Sequence, residues 1–205
     1  MRLLLVRHGE TAGQSSIRYY GSTDVPLSRL GEEQLRRAGA ALAGERFAAV
    51  YTSRLRRARL GAVLVTRGAH PAHPVAALDE VCFGRWEGLT REEIAARDPH
   101  HFAQWQADPE RFVYPEGECR QAFQRRVATA LRRLLTPPAD ATVLLVVHRG
   151  VIAVALAELL DLPAAARRDL EIGLGSIHEL AHDGTAWRAV HLNVVAHLAG
   201  LEAAT

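Results

Sequence analysis

Leu3-Leu4-Leu5-Val6 runs without a polar residue into Arg7-His8-Gly9, and the rest of the chain is read outward from this stretch. A continuous apolar run is the pattern of a strand covered on both faces, because a half-exposed strand would alternate. The pattern returns late in the chain, where Thr142 to Val147 leads into His148-Arg149-Gly150. In open sheets covered by helices, ligands collect at the carboxyl ends of the strands. Two buried strands that each end on histidine would therefore bring both imidazoles to one edge of the sheet.

The segments between supply helices and further strands. Ser28 can accept from a first-turn N–H and cap a helix carrying Leu30, Leu35, Ala38 and Leu42, with a stop near Gly44. Phe47 to Thr52 reads as a strand, and Ser53 offers a cap for a helix through about Val65. Thr90 and Glu93 form a capping-box pattern for a helix near Ile94. From Asp98 to Gly117 the sequence is polar, aromatic and proline-bearing without a sustained period, which predicts an irregular or short-helical excursion over one edge. Glu118 to Leu135 has a helical period through Phe123, Val127, Leu131 and Leu134, and Gly150 opens another helix to about Leu160. Ser176 to Ala181 and Trp187 to Leu192, joined across Asp183-Gly184, read as a hairpin. Strands alternating with helices predict an α/β fold, a three-layer αβα sandwich on a mainly parallel sheet. Residues 1–205 read as one domain, with no repeat, linker or low-complexity segment.

Hydrophobic residues make up 48% and charged residues 23%, a globular balance, and the formal net charge is only +2. That total gives no reason to expect nucleic acid or an anionic membrane as partner. All 25 basic residues are arginine. A coding bias is the ordinary explanation, but it leaves every site with planar, permanently charged forks suited to phosphate or carboxylate. Cys82 and Cys119 match no metal or redox spacing and read as reduced cysteines of a cytoplasmic protein. The apolar run at Leu3 is too short for a signal peptide, and no 18-residue apolar stretch occurs. His70 and His73, and the pair His100-His101, lie in proline-bearing loops without a carboxylate–cysteine set, so no metal is expected there. No cofactor is expected, and the oligomeric state stays open, with a homodimer among the candidates.

LVRHGET (Leu5 to Thr11), GSTDVPLSRLGEEQ (Gly21 to Gln34), TSRLRRA (Thr52 to Ala58), LDEVCFGRWEG (Leu78 to Gly88) and VVHRGVI (Val146 to Ile152) follow in order, and LNVVAHL (Leu192 to Leu198) comes near the end. Together they resemble the histidine phosphatase superfamily, in its phosphoglycerate mutase-like branch, over nearly the whole chain. The resemblance implies a phosphoglycerate mutase-like fold and transfer of a phosphoryl group to His8. Neutral imidazole attacks phosphorus and splits one hard displacement into two easier ones. Neighbouring arginines disfavour the charged ring and help keep it neutral. Arg7 and Arg57 are implied as clamps on the phosphoryl oxygens, since preorganised positive charge carries most of such catalysis. His148 is implied as a further donor, and Glu80 as the general acid that protonates the leaving alkoxide and later activates water. Gln14, Gly21 and Arg149 are implied as further substrate contacts.

Departures from the family pattern narrow the activity. Gly13-Gln14 stands where members often carry Trp-Asn, Ile17 replaces an asparagine of the mutases, and Arg149 replaces a small residue. Cys119 stands where serine is common. The mutases carry an arginine directly after the acid and a long arginine-bearing insert, whereas here Val81 follows Glu80, Tyr20 replaces a threonine and the insert is short. The resemblance therefore implies a phosphomonoester hydrolase acting on a small phosphorylated metabolite, α-ribazole phosphate or a sugar phosphate. The alternative is a cofactor-dependent phosphoglycerate mutase. A non-catalytic phosphate-binding module is disfavoured because the four pocket groups and the acid are all present.

Overall fold

β1 (Arg2–Arg7) is central because its apolar residues bury on both faces. Leu3 and Leu5 pack into one hydrophobic cluster and Leu4 and Val6 into the other, all at most 1% exposed. The computed structural model describes residues 1–136, 138, 140–163, 166 and 169–201. After β1 come α1 (Arg29–Ala41), β2 (Ala49–Thr52), α2 (Arg56–Thr66), β3 (Ala72–Pro74), α3 (Arg91–Arg97) and α4 (Pro99–Ala107). The order continues with α5 (Arg120–Leu134), β4 (Thr142–Val147), α6 (Arg149–Leu159), β5 (Ile177–His182) and β6 (Trp187–Val194). The sheet order is β3-β2-β4-β1-β5-β6, parallel from β3 to β1, with β5 and β6 added antiparallel. Leu35 and Ala38 of α1 and Ala62 and Val65 of α2 fill the cluster on one face. Phe123, Val127 and Leu131 of α5 with Val151 and Ile152 of α6 fill the other. The chain is thus the expected three-layer α/β sandwich on a mainly parallel sheet. Among the described residues no helix is long and apolar enough to cross a membrane.

The register builds the site. β4 lies between β1 and β2, pairing Arg7 with Val147 and Thr52 with Val146. The next residues, His8, His148 and Ser53, therefore leave the sheet at adjacent carboxyl ends.

Local signals met different fates. Ser28 caps α1 as expected, its Oγ accepting from Gly31 N–H at 3.1 Å, and the Thr90–Glu93 capping box closes in both directions. Ser53 does not cap α2: the N-cap is Leu55, and the Ser53 hydroxyl is held instead by His148. The expected excursion contains the nine-residue α4, started by Pro99 at its first turn, before irregular chain resumes. His100 and His101 consequently lie on α4 rather than in a loop, and His101 Nδ1 meets Asp98 Oδ1 at 2.6 Å. His73 belongs to β3, a three-residue edge strand too short to leave a periodic signature.

Candidate active site

His8 leaves β1 almost wholly buried, its ring edge-on to that of His148 with centroids 5.1 Å apart. His8 Nδ1 lies 2.7 Å from the Gly9 carbonyl oxygen, an atom that only accepts. Nδ1 therefore carries the proton and Nε2 keeps its lone pair. Burial holds this imidazole well below the ordinary histidine range, and the charges of Arg57 and Arg7 push the same way. The ring is neutral at pH 7, the state that can attack phosphorus.

His148 is fully buried behind it. Arg57 donates from Nε to His148 Nδ1 at 3.3 Å, and a guanidinium has no acceptor, so Nε2 carries the proton and donates to Ser53 Oγ at 2.7 Å. Burial first, then the charge of Arg57, keeps this ring neutral too. Arg57 is itself 0% exposed, and burying a guanidinium is costly unless its donors are met. Nη1 donates to the Thr23 carbonyl at 2.8 Å, and Nη2 to those of Gly21 at 2.6 Å and Tyr20 at 3.3 Å. Those carbonyls are held in place because Glu87 accepts from the N–H groups of Gly21, Ser22 and Thr23 at 3.0, 2.9 and 3.3 Å.

Arg7 donates from Nη1 to the Ile172 carbonyl at 2.8 Å. Burial, then the nearby charge of Arg149, brings its pKa down to about 10, which still leaves it charged at pH 7. Glu80 is 7% exposed and clamped at both oxygens, Oε1 accepting from Val81 N–H at 2.9 Å and Oε2 from Gly150 N–H at 2.8 Å. Gly150 is required here, since a Cβ would overlap Glu80 Oε1. Beneath Glu80 lies Arg126, bidentate to Glu118 at 2.7 and 2.9 Å. Arg126 also donates to the carbonyls of Ala77, Asp79 and Glu80 at 2.9, 2.7 and 3.2 Å.

Arg7, His8, Glu80, Arg149 and Gly150 line one cavity of about 670 Å³, with Tyr19, Tyr20, Phe83, Trp105 and Tyr114 on its walls. Arg57 and His148 back His8 from inside the protein and do not line it. Two expected substrate contacts lie outside this lining. Gln14 is exposed on a left-handed turn with φ 64°, outside the cavity lining. Gly21 is buried with its N–H on Glu87 and its carbonyl on Arg57, so it shapes the loop rather than the cavity. Glu87 and Arg126 were not singled out from the sequence. Glu87 lies within the FGRWEG run, but nothing distinguishes Arg126 from its neighbours Arg120, Arg125, Arg132 and Arg133.

The sheet thus delivers a neutral imidazole to an arginine-bearing cavity, with a clamped carboxylate on the same wall. The chain belongs to the histidine phosphatase superfamily, branch 1, which matches residues 3–195. It is 37% identical over 166 residues to adenosylcobalamin/α-ribazole phosphatase of Salmonella typhimurium, across 80% of this chain and 82% of that protein. The structure of α-ribazole phosphatase from Shigella flexneri matches with a TM-score of 0.87 at 30% identity, covering 95% of this chain and 97% of that one. Mycobacterial glucosyl-3-phosphoglycerate phosphatase, solved in complex with VO3, matches with a TM-score of 0.82 at 32% identity over 94% and 98% of the two chains. The chain is a phosphatase.

Proposed function

We propose that this phosphatase hydrolyses small phosphomonoesters through a phosphohistidine formed on Nε2 of His8. The observation that carries the reading is the His8 ring, neutral, lining the cavity, and left by the Gly9 carbonyl with its lone pair on Nε2. That lone pair attacks phosphorus and the bond to the ester oxygen breaks, while Arg7 and Arg57 offset the charge on the phosphoryl oxygens. His148 supports this step from behind His8, its Nδ1 accepting from Arg57 and its Nε2 donating to Ser53, which holds the Arg57 charge against the nucleophile. Arg149, close enough to Arg7 to lower its pKa, adds charge at the rim. Protonated Glu80 gives its proton to the departing alkoxide. The resulting carboxylate takes a proton from water as the water oxygen attacks phosphorus, the P–Nε2 bond breaks, and neutral His8 and protonated Glu80 return.

Hydrolysis is favoured over isomerisation because Val81, beside the acid, offers no cation to hold a phosphorylated product, and Tyr20 narrows the wall. α-Ribazole phosphate and sugar phosphates are the substrates to try first. Rapid quench with radiolabelled substrate should trap acid-labile, base-stable label that His8→Ala lacks; label on serine or aspartate would overturn the assignment. Supplied with 3-phosphoglycerate, with or without 2,3-bisphosphoglycerate, the enzyme should release inorganic phosphate. Fast, bisphosphate-dependent isomerisation would instead make it a mutase.

A further inference from the structure

The cavity wall carries more positive charge than one phosphoryl group engages. Of its arginines, Arg7 belongs with the phosphoryl reading, and Arg18 is neutralised by Glu93 at 2.8 Å. Arg91 lies over Phe102 and Trp105, at 5.2 and 5.1 Å from their ring centres. Of the other acidic wall residues, Glu110 accepts from the neutral Gln124 at 2.7 Å, and Glu158 faces Arg132 at 3.8 Å. Arg120 and Arg149 have no acidic partner among the described residues.

Arg120 is the more telling of the two. Its backbone N–H is used by the Phe112 carbonyl at 3.0 Å, but its side-chain Nε is buried without a hydrogen-bond partner among the described residues. A buried donor left unmet costs free energy that a ligand can recover. The guanidinium stands 6.0 Å from the centre of the Phe123 ring. Phe123 Cζ and the Glu80 carboxyl carbon would each lie 3.1 Å from a Cβ on Gly150, so the Phe123 ring neighbours both Arg120 and the acid, and both residues line the same cavity. This is the leaving-group side of the cavity, on the reading that Glu80 protonates the ester oxygen.

We propose that Arg120 is a specificity residue that pairs with a second acidic group, a carboxylate or a second phosphoryl, carried by the leaving group. A planar guanidinium presents two parallel N–H donors that match either acid. The proposal rests on the phosphohistidine reading only for which side the leaving group takes.

The test measures kcat/KM within matched pairs. 3-Phosphoglycerate is compared with glycerol 3-phosphate, which differs by a hydroxymethyl group in place of the carboxylate, and fructose 1,6-bisphosphate with fructose 6-phosphate. The acid-bearing member of at least one pair should be preferred, and which pair responds tells carboxylate from phosphoryl. Arg120→Gln should shrink that preference by about 10- to 100-fold, the range for one charge-assisted hydrogen-bonded contact. Arg120→Lys should keep part of it, and the pair member without the second acid, assayed in the same sample, reports that the variant is folded. Equal rates within both pairs, a ratio unchanged in Arg120→Gln, or faster turnover of α-ribazole phosphate than of any acid-bearing substrate would overturn the subsite. The two readings fail separately: absent label on His8 overturns the phosphohistidine, and an unchanged ratio with normal label overturns the Arg120 subsite.

Discussion

Arg54, Arg56, Arg57 and Arg59 crowd the start of α2, yet only Arg57 turns inward. Arg54 is drawn out by Asp79 at 2.6 Å and Arg56 by Asp24 at 3.1 Å, while the carbonyls of Tyr20, Gly21 and Thr23 make burial of Arg57 tolerable. From the residues alone the four are equivalent, and only the family register distinguished Arg57. Glu80 is the reverse case, named by its block but given meaning by its clamps. Arg126 acts through it, as a positioning residue that fixes the backbone carrying the carboxylate. If Glu80 supplies the proton, Glu80→Gln should slow a sugar phosphate far more than para-nitrophenyl phosphate, whose leaving group hardly needs one. The two should separate by about 10²–10⁴-fold, measured as kcat/KM on each. Equal losses on both would reduce Glu80 to a group that only shapes the pocket.

At the scale of elements, the two serines read as caps part company for a physical reason. Ser28 faces an open helix start, accepts from Gly31 N–H and donates to the Glu10 carbonyl at 3.3 Å, tying α1 to the loop that follows His8. Gly31 lets that loop approach so closely that a Cβ would overlap the Glu10 carbonyl. Ser28→Ala should therefore cost about 1–2 kcal/mol, read as a lower urea midpoint with unchanged slope. A variant as stable as the parent would show that the cap contributes nothing. Ser53 has the same local signature, but His148, brought beside it by β4, competes for its hydroxyl and wins. A cap signal is local, and a partner 95 positions away is invisible to it.

Across the whole molecule, His8, His148 and His178 are buried and held neutral, chiefly by burial. His178, pushed down to about 4, bridges Ser176 Oγ at 3.1 Å and Asn193 N–H at 3.2 Å. In the unfolded chain such groups protonate near pH 6.5. Between about 6.5 and 4 the unfolded state binds protons that the folded state refuses, so stability is full above 6.5 and declines as pH falls through this window. For His178 alone the loss by pH 4 is of order 3 kcal/mol. Calorimetry should show the melting temperature dropping steadily from pH 7 to pH 5, and a flat or rising profile would contradict it. By itself the sequence determined the two buried strands ending in histidine, the layered α/β fold and the order of the family blocks. Each is carried by the apolar pattern or chemistry of a few neighbouring residues. Only the tertiary structure decided that β4 lies between β1 and β2, which ring nitrogen carries the proton in His8 and in His148, that Gln14 and Gly21 stand outside the cavity, and that Arg126 underlies Glu80. Those outcomes depend on strand register and on competition among distant donors for buried carbonyls, and neither is set until the whole chain has packed.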